Sequence, residues 1–238
     1  MAAPKPSRWA PLESNPDVLT EWAGLVGLST KRYAFSDVFS LDDEMLAFVP
    51  QPVKAVLLVF PLTDEIDAQR KETDKQIAQE DSQPNLDPTI FFIKQTISNA
   101  CGTIALLHSI YNTDATMVPT SALQKFQQQA MDMTPDQRAK LLETTDLFAT
   151  AHAAAASGGQ SSMPENLDTN DHFVAFVQAP DPENPGKQRL IELDGRRPAP
   201  LDLGPSENLL KDVATVFKTK YMALAEEGKF ALISLGPA

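Results

Sequence analysis

The sequence predicts a single domain of α and β structure, with a mixed or antiparallel sheet and helices on its faces. The chain has 238 residues, which is enough for one sizeable hydrophobic core. Five short apolar segments have the length and composition of strands, and five or six longer segments begin at residues that cap helices. No internal repeat is visible. We therefore expect residues 1–238 to form one domain.

The first third of the chain is predicted to hold one helix and two strands. Ser14-Asn15-Pro16-Asp17 supplies a helix cap, a proline in the first turn and an early acid. Tyr33 to Phe39 alternates loosely between apolar and polar residues, which is typical of a short edge strand or an irregular segment. Val53 to Phe60 is almost entirely apolar, so we expect a central strand that is buried on both faces.

The segment leading to the only cysteine is less uniform. Residues 64–83 carry charges of both signs and no strong apolar stripe, which indicates a solvated helix or a mobile segment. Thr89 to Ile93 is predicted to be a short buried strand. Ser98 and Asn99 are good cap residues, so a helix should begin there and hold Cys101 in its first turn.

Two further helices precede a change in composition. They are predicted to begin at Thr120-Ser121 and at Thr134-Pro135-Asp136, the second with Leu147 and Phe148 on its apolar side. Residues 150–170 are then rich in alanine, serine, glycine and polar residues, and are too weakly apolar to pack well. This stretch is predicted to be a disordered spacer or a loop that lies over an active site.

The last third is predicted to contain a hairpin, a helix and a final strand. His172 opens one strand, Gln188 to Leu193 forms the next, and Asp194-Gly195 ends that strand in a turn. Ser206 is predicted to start a long amphipathic helix that continues through Leu224. Phe230 to Leu235 is the last strand candidate.

The overall composition limits the function and the compartment. A net charge of -12 argues against nucleic-acid binding and suits a basic partner, or simply solubility. One cysteine excludes an internal disulfide and predicts a reducing compartment, here the cytoplasm. The N-terminus lacks the apolar region of a signal peptide, and the run from Ala55 to Phe60 is too short to span a bilayer, so no membrane role is expected.

Cys101 is the best candidate for a nucleophile. In the first turn of a helix its sulfur would lie near unpaired backbone N–H groups and the positive end of the helix dipole, which favours the thiolate. The alternative is that it is a small buried hydrophobic residue, as most free cysteines are. No His/Cys cluster has the spacing of a metal site, so we expect neither a metal nor a cofactor.

A nucleophilic cysteine needs a base, and three histidines are available. His108 lies seven residues beyond Cys101, about 10 Å along a helix and too far for a hydrogen bond, so we expect a packing or surface residue. His152 falls in the alanine-rich stretch, where nothing would fix its geometry. His172 begins a strand, and a hairpin register that places residue 172 opposite 195 brings Asp194 alongside, within about 5 Å. The alternative is a strand-end histidine beside an ordinary Asp-Gly turn.

Attack on an acyl carbon also requires donors for the oxyanion. The backbone N–H of Cys101 is one candidate, at the start of its helix. The side-chain amide of Gln95, six residues upstream, is the second. These residues predict acyl-transfer chemistry without fixing the substrate.

Six segments then suggest a family. They are WAPLESNPDV, VKAVLLVFP, KQTISNACGTIALLH, DHFVAFV, LIELDGRRPAPL and FALISLGPA. Together they resemble the ubiquitin C-terminal hydrolase family of cysteine deubiquitinating enzymes over almost the whole chain. The resemblance implies Cys101 as nucleophile, His172 as general base and acid, Asp194 as its orienting partner and Gln95 as oxyanion donor. It also implies a papain-like α+β fold, with a central antiparallel sheet between helices and a knotted backbone.

The resemblance further implies a substrate and a surface for it. Residues 150–170 match the family's crossover loop, which would favour small adducts or short peptides on the C-terminal glycine of ubiquitin or a ubiquitin-like modifier. Pro11, Leu12, Glu13, Asp17 and Asp37 would lie on the ubiquitin-facing surface, where the acids suit a basic partner.

Three points stay open in the sequence. The loop at residues 180–187 is longer and richer in proline than is usual in small members of this family. We expect a monomer. The alternatives to the hydrolase are a non-catalytic ubiquitin-binding module and a cysteine hydrolase of an unrelated amide.

Overall fold

The computed structural model describes residues 9–80, 86–158, 169–222 and 230–238. Its centre is a six-stranded sheet in the order β1-β6-β2-β3-β4-β5, with antiparallel pairing throughout. The strands are β1 (Tyr33–Asp37), β2 (Ala55–Pro61), β3 (Asp171–Pro180), β4 (Gln188–Leu193), β5 (Leu201–Ser206) and β6 (Ala231–Pro237). The α+β architecture and the antiparallel sheet predicted from the sequence are confirmed.

Helices cover both faces of the sheet. They are α1 (Pro16–Val26), α2 (Asp43–Leu46), α3 (Asp64–Glu80), α4 (Cys101–Tyr111), α5 (Ala122–Ala130), α6 (Pro135–Thr144), α7 (Ala149–Gly158) and α8 (Leu209–Val216), which continues into a π-helical turn at Phe217–Tyr221. None of the helices in the described ranges is both long and apolar enough to cross a membrane.

Strand β2 shows why the sheet has two cores. Ala55, Leu57 and Val59 point to the core that contains α1 and α4, whereas the alternate residues point to the core that contains α8. The first six residues of β2 are buried, and the strand lies between β6 and β3. The predicted central strand is therefore confirmed, as are the edge strand β1 and the final strand β6.

Local signals fixed several helix ends as expected. Asn15 accepts a hydrogen bond from the backbone N–H of Asp17 at the start of α1, and Gly27 ends this helix with a φ of 116°. Thr134 and Gln137 form a reciprocal capping box at the start of α6. The end of α6 was predicted too late: it stops at Thr144, and Phe148 packs from the next turn of chain.

The strand predicted at Thr89–Ile93 is wrong. The segment is buried, but its backbone is satisfied by side chains instead of a neighbouring strand. Asn112 accepts from the Phe91 N–H at 2.7 Å and donates to the Phe91 carbonyl at 2.8 Å, while His108 Nε2 accepts from the Ile93 N–H at 2.9 Å. Its apolar side chains therefore pack as a strand's would, without any strand pairing.

Two other boundaries also differ from the prediction. Ser206 ends the unpredicted strand β5 instead of starting a helix, and Asn208 caps α8 by accepting from the Lys211 N–H. The continuation of that helix to Leu224 extends past residue 222, outside the described residues. The stretch 150–170 was predicted to be a spacer or a loop, which is wrong up to Gly158: this part is helical, and it packs through the buried residues Ala151, His152 and Ala155. Residues 159–168 lie outside the described part of the chain.

Candidate active site

The candidate nucleophile lies where α4 begins. Cys101 is the first residue of this helix, so its predicted place in the first turn is confirmed. The predicted caps are wrong: Ala100 is the N-cap residue and makes no side-chain capping bond. The carbonyl of Ser98 instead accepts from the Trp9 N–H at 3.0 Å, and Asn99 has a φ of 61°, a left-handed conformation that asparagine tolerates. This turn carries the chain sharply from the preceding segment into α4.

The Cys101 side chain is held against the start of β3. It is 7% exposed, and its sulfur lies 3.8 Å from the carbonyl oxygen of Asp171. Burial raises the pKa of the thiol, but a hydrogen bond with His172 and the charge of its imidazole lower it, and the net pKa is lowered. A backbone N–H bond from Phe173 and the charge of Arg196 act in the same direction. The environment therefore favours the thiolate, as a nucleophile requires.

His172 and Asp194 form the pair that the hairpin geometry predicted. The imidazole Nε2–H donates to Asp194 Oδ1 at 2.8 Å, and the two residues are 1% and 0% exposed. The predicted register was wrong by one residue. β3 and β4 pair with Ala175 opposite Leu193, so one further step would place Asp194 opposite Val174, with His172 as the diagonal neighbour.

The electrostatics of this pair suit a charged imidazole. Burial lowers the pKa of His172, whereas the charge and hydrogen bond of Asp194 raise it, and the raising effects prevail. Apart from its interaction with the Cys101 thiol, Nδ1 of the ring has no hydrogen-bond partner among the described residues, which leaves this nitrogen for the sulfur or a substrate. Burial raises the pKa of Asp194, but the charge and hydrogen bond of His172, the charge of Arg70 and the Arg196 N–H together outweigh it, and the net pKa is well below the usual range. An imidazolium between a thiolate and a carboxylate is therefore the favoured state.

Three donors that sequence reasoning missed complete the shell of Asp194. The Arg196 backbone N–H donates to Oδ1 at 2.9 Å, and the Arg70 guanidinium of α3 donates to Oδ2. The Arg197 N–H donates to the Asp194 carbonyl at 2.9 Å and closes the turn. The two arginines that follow Asp194-Gly195 were visible in the sequence. Arg70, which lies 124 residues away, had no signal that linked it to the site.

Gln95 reaches the same site through the Asp194-Gly195 turn. Its backbone N–H donates to the Gly195 carbonyl at 2.7 Å. A Cβ on Gly195 would lie 3.2 Å from Gln95 Cβ and 3.1 Å from a methyl group of Ile104, so glycine permits this close approach. The Gln95 side-chain amide donates to the Ile97 carbonyl at 3.3 Å, while its Oε1 is buried without a partner among the described residues.

The other two histidines have packing roles. His108 is fully buried, bonds to the backbone of Ile93 and Leu193, and stacks on Phe92 at 5.1 Å between ring centroids, which confirms the packing alternative. The interpretation of His152 as unfixed is wrong. Its ring nitrogens bond to Thr103 Oγ1 at 3.0 Å and to the Ala10 carbonyl at 2.8 Å, because α7 packs this residue between α4 and the N-terminal segment.

Four of the five residues expected on the partner-facing surface are accessible. Pro11, Glu13 and Asp37 are partly buried and Asp17 is exposed; the three acids line a common surface groove. Burial, and secondarily the charge of Asp17, raises the pKa of Asp37. The expected exposure of Leu12 is wrong: it is 6% exposed, because it packs where a Cβ on Gly102 would lie only 3.2 Å from Leu12 Cβ.

Within the described residues, no group of three or more His, Cys, Asp or Glu side chains could hold a metal ion. The reactive groups of this site are the Cys101 thiol, the His172 imidazole and the Asp194 carboxylate, which lie together where β3 begins and β4 ends. A thiol, an imidazole and a carboxylate in this order are the groups that a cysteine-type hydrolase uses.

Comparisons with known proteins give the family within that class. The family described as ubiquitin carboxyl-terminal hydrolase, family 1, matches residues 9–223. The chain therefore belongs to this family of cysteine-type hydrolases. It is 39% identical over 215 residues to ubiquitin carboxyl-terminal hydrolase 3 of Arabidopsis thaliana, a match that covers 89% of this chain and 86% of that protein. It is 35% identical to the human isozyme L1, with coverage of 94% and 96%.

A solved structure agrees with the fold. The UCH37 catalytic domain of Trichinella spiralis, solved with ubiquitin vinyl methyl ester bound, superposes with a TM-score of 0.71. The superposition covers 98% of this chain and 96% of that chain at 21% sequence identity. The α+β fold with a central antiparallel sheet and flanking helices is therefore shared with a solved structure.

Proposed function

We propose that Cys101, His172, Asp194 and Gln95 form the active site with which this ubiquitin carboxyl-terminal hydrolase cleaves bonds to the C-terminal glycine of ubiquitin. One observation carries the proposal. The only cysteine of the chain lies at a helix start beside a buried imidazole whose other nitrogen is bonded to a carboxylate at 2.8 Å. Acyl transfer through a thioester needs these three groups in this order.

The proposed reaction has two stages. The Cys101 thiolate attacks the carbonyl carbon of the terminal glycine, and the negative charge that develops on the oxygen is stabilised by the Cys101 N–H and the Gln95 side-chain amide. His172 gives its proton to the departing amine or thiol, which leaves a thioester on Cys101. His172 then takes a proton from water, and the hydroxide resolves the thioester and restores the thiolate. Asp194 keeps the ring oriented throughout.

Ubiquitin is the proposed partner, and the acidic groove is its proposed contact surface. Glu13, Asp17 and Asp37 line one groove, with Pro11 in the adjoining segment. Acids of this kind suit the basic tail and face of ubiquitin. Leu12 is assigned a supporting role, since it packs beside Gly102 under this surface. A ubiquitin-like modifier is the proposed second substrate, and small adducts or short peptides are the proposed leaving groups.

The remaining assignments are also proposals. Strands β2 and β3 contribute to both hydrophobic cores, which supports one catalytic domain across residues 1–238. The knotted path of the backbone and the crossover loop follow from the resemblance, and residues 159–168 of that loop lie outside the described residues. We propose a monomer without a cofactor. A thiolate nucleophile works in a reducing compartment, so we place the activity in the cytoplasm.

A ubiquitin conjugate that bears a fluorogenic amide tests the proposal. We expect the wild-type chain to release the fluorophore, and Cys101→Ala to lose turnover while it still binds ubiquitin. Binding without turnover in the wild type would favour the non-catalytic module. Neither binding nor turnover would favour a hydrolase of an unrelated amide. Circular dichroism of Cys101→Ala is the control for folding.

A further inference from the structure

Helix α3 faces the turn that carries Asp194 with two charged residues one helical turn apart. Arg70 pairs with Asp194, and Asp74 pairs with Arg197. Residues four apart lie on the same helix face, so both pairs form on one side of α3. The charges run in opposite order on the two segments: positive then negative on the helix, negative then positive on the turn. We call these two ion pairs the α3 clasp.

The clasp is anchored beyond its own two pairs. Arg197 Nε donates to Glu192 Oε1 at 2.9 Å, and the Tyr221 hydroxyl donates to Glu192 Oε2 at 3.1 Å. Arg70, Glu192 and Arg197 are at most 8% exposed. Water therefore screens these charges little, and each one acts strongly on its neighbours. The turn is held from β4, from the π-helical turn and from α3.

We propose that Arg70 is a positioning residue for this active site: it fixes the second carboxylate oxygen of Asp194 and competes with His172 for that carboxylate. The inference rests on the proposed function, because it assigns Arg70 to the triad named there. Arg70 binds Oδ2, while His172 and the Arg196 N–H bind Oδ1. The carboxylate plane is thus set from both sides, which keeps Oδ1 aimed at the imidazole.

The competition predicts the direction in which removal of Arg70 changes the pH at which His172 loses its proton. With Arg70 present, its guanidinium balances part of the negative charge on the Asp194 carboxylate. Without it, His172 is the remaining charged partner in direct contact with Asp194, so its imidazolium is stabilised to higher pH. The charged or titratable groups that face this pair are Cys101 and His108 from α4, Asp67 and Arg70 from α3, Glu192 from β4, Arg196 and Arg197 from the turn, and Tyr221 from the π-helical turn.

Alkylation of the thiol measures this effect without any substrate. Cys101 is the only cysteine, so the rate of its reaction with iodoacetamide reports on this site alone. The alkaline step of the rate-against-pH profile is the loss of the His172 proton. We expect Arg70→Gln to move this step up by about half a pH unit or more, since a buried charge within contact distance is removed. Arg70→Lys, which keeps the charge, should restore most of the wild-type position.

Two further variants separate a positioning role from a general loosening of the fold. Asp74→Asn removes a negative charge on the same side of the site, so we expect the alkaline step to move down, opposite to Arg70→Gln. A purely structural role would move both variants in the same direction. Lys75→Gln is the matched control, because this lysine is 68% exposed and its profile should coincide with the wild type.

Turnover of the fluorogenic ubiquitin conjugate gives the second readout. The alkaline limb of kcat/KM should follow the alkylation profile, with KM changed less than about twofold, since Arg70 is not placed on the partner surface. The proposal is overturned if a folded Arg70→Gln leaves the alkaline step of the alkylation profile at its wild-type pH. It is also overturned if Asp74→Asn moves this step in the same direction as Arg70→Gln. If Arg70→Gln does not fold, Arg70→Lys and Asp74→Asn decide it. A wild type that shows the alkylation shifts but no turnover would instead overturn the proposed function.

Discussion

Helices α3 and α4 both reach the same active site, but they do so in opposite ways. All eleven residues of α4 are buried, and the helix places Cys101 by packing against the sheet. On α3 most residues are exposed, and only Ile66 and Arg70 are buried among those whose side chains are described. One helix is thus positioned by its whole surface and the other by a few contacts. This difference decides which mutations matter and which features a sequence reveals.

Helix α3 is also stabilised differently. Asp64, Glu65 and Asp67 lie in its first turn, where acids interact favourably with the helix dipole. Lys71 pairs with Asp67 at 2.5 Å and Lys75 with Glu72 at 3.8 Å, along the exposed surface. Each such pair contributes only tenths of a kcal/mol. The docking of α3 onto the sheet must therefore depend on Ile66 and on the α3 clasp.

The largest expected effect is on the segment that enters α4. Gln95→Ala removes a proposed oxyanion donor, and one such donor is worth about 3–4 kcal/mol of transition-state stabilisation. We expect kcat to fall by about 10²–10³-fold, with the fold retained. The measurement is steady-state turnover of the fluorogenic ubiquitin conjugate, with Gln128→Ala on the exposed face of α5 as control. A loss smaller than tenfold would remove Gln95 from the site.

The next largest effect concerns packing within α4. Leu107 is 0% exposed, so Leu107→Ala should leave a cavity and lower the free energy of unfolding by about 2–5 kcal/mol. The same substitution at Leu25 on α1, which is 57% exposed, should cost less than about 0.5 kcal/mol. Urea denaturation measures both. Equal effects at the two positions would contradict the view that α4 is held by its whole surface.

The third prediction uses pH, and it also concerns α4. Burial lowers the pKa of His108 to about 4, below its unfolded value near 6.5. The unfolded chain therefore binds a proton more readily, so stability is complete above pH 6.5 and falls as the pH decreases towards 4. A shift of this size corresponds to about 3 kcal/mol for this residue. We expect His108→Gln to lose most of this slope in urea titrations between about pH 4 and 7. An unchanged slope would exclude His108 as its source.

The same contrast explains what the sequence could and could not predict. The apolar run of β2 and the caps of α1 and α6 were visible, because burial and capping leave local patterns. The prediction that His172 and Asp194 lie together was confirmed despite a register error of one residue, since diagonal neighbours also reach each other. Their catalytic roles, like that of Cys101, remain predictions.

The failures have physical causes as well. Strand β5 reads LDLGPS, with a proline and a glycine that favour a turn, and it was missed. The segment 89–93 has strand-like side chains, but Asn112 and His108 take its backbone hydrogen bonds. Arg70 was missed for a third reason: its partner lies 124 residues away, and no local pattern records a long-range ion pair.

The smallest expected effect tests the other side of the comparison. Lys71 is 69% exposed and pairs with Asp67, so Lys71→Ala removes only a surface ion pair and should change the free energy of unfolding by less than about 0.5 kcal/mol. Ile66 on the same helix is 1% exposed, and Ile66→Ala should cost about 2–5 kcal/mol. Urea denaturation in low and high salt distinguishes the two, because only a surface pair is screened. A cost above about 1 kcal/mol for Lys71→Ala would mean that α3 depends on its exposed charges. The two helices would then differ in the kind of interaction that holds them, apolar burial for α4 and ion pairs for α3, and not in how much of their surface is in contact.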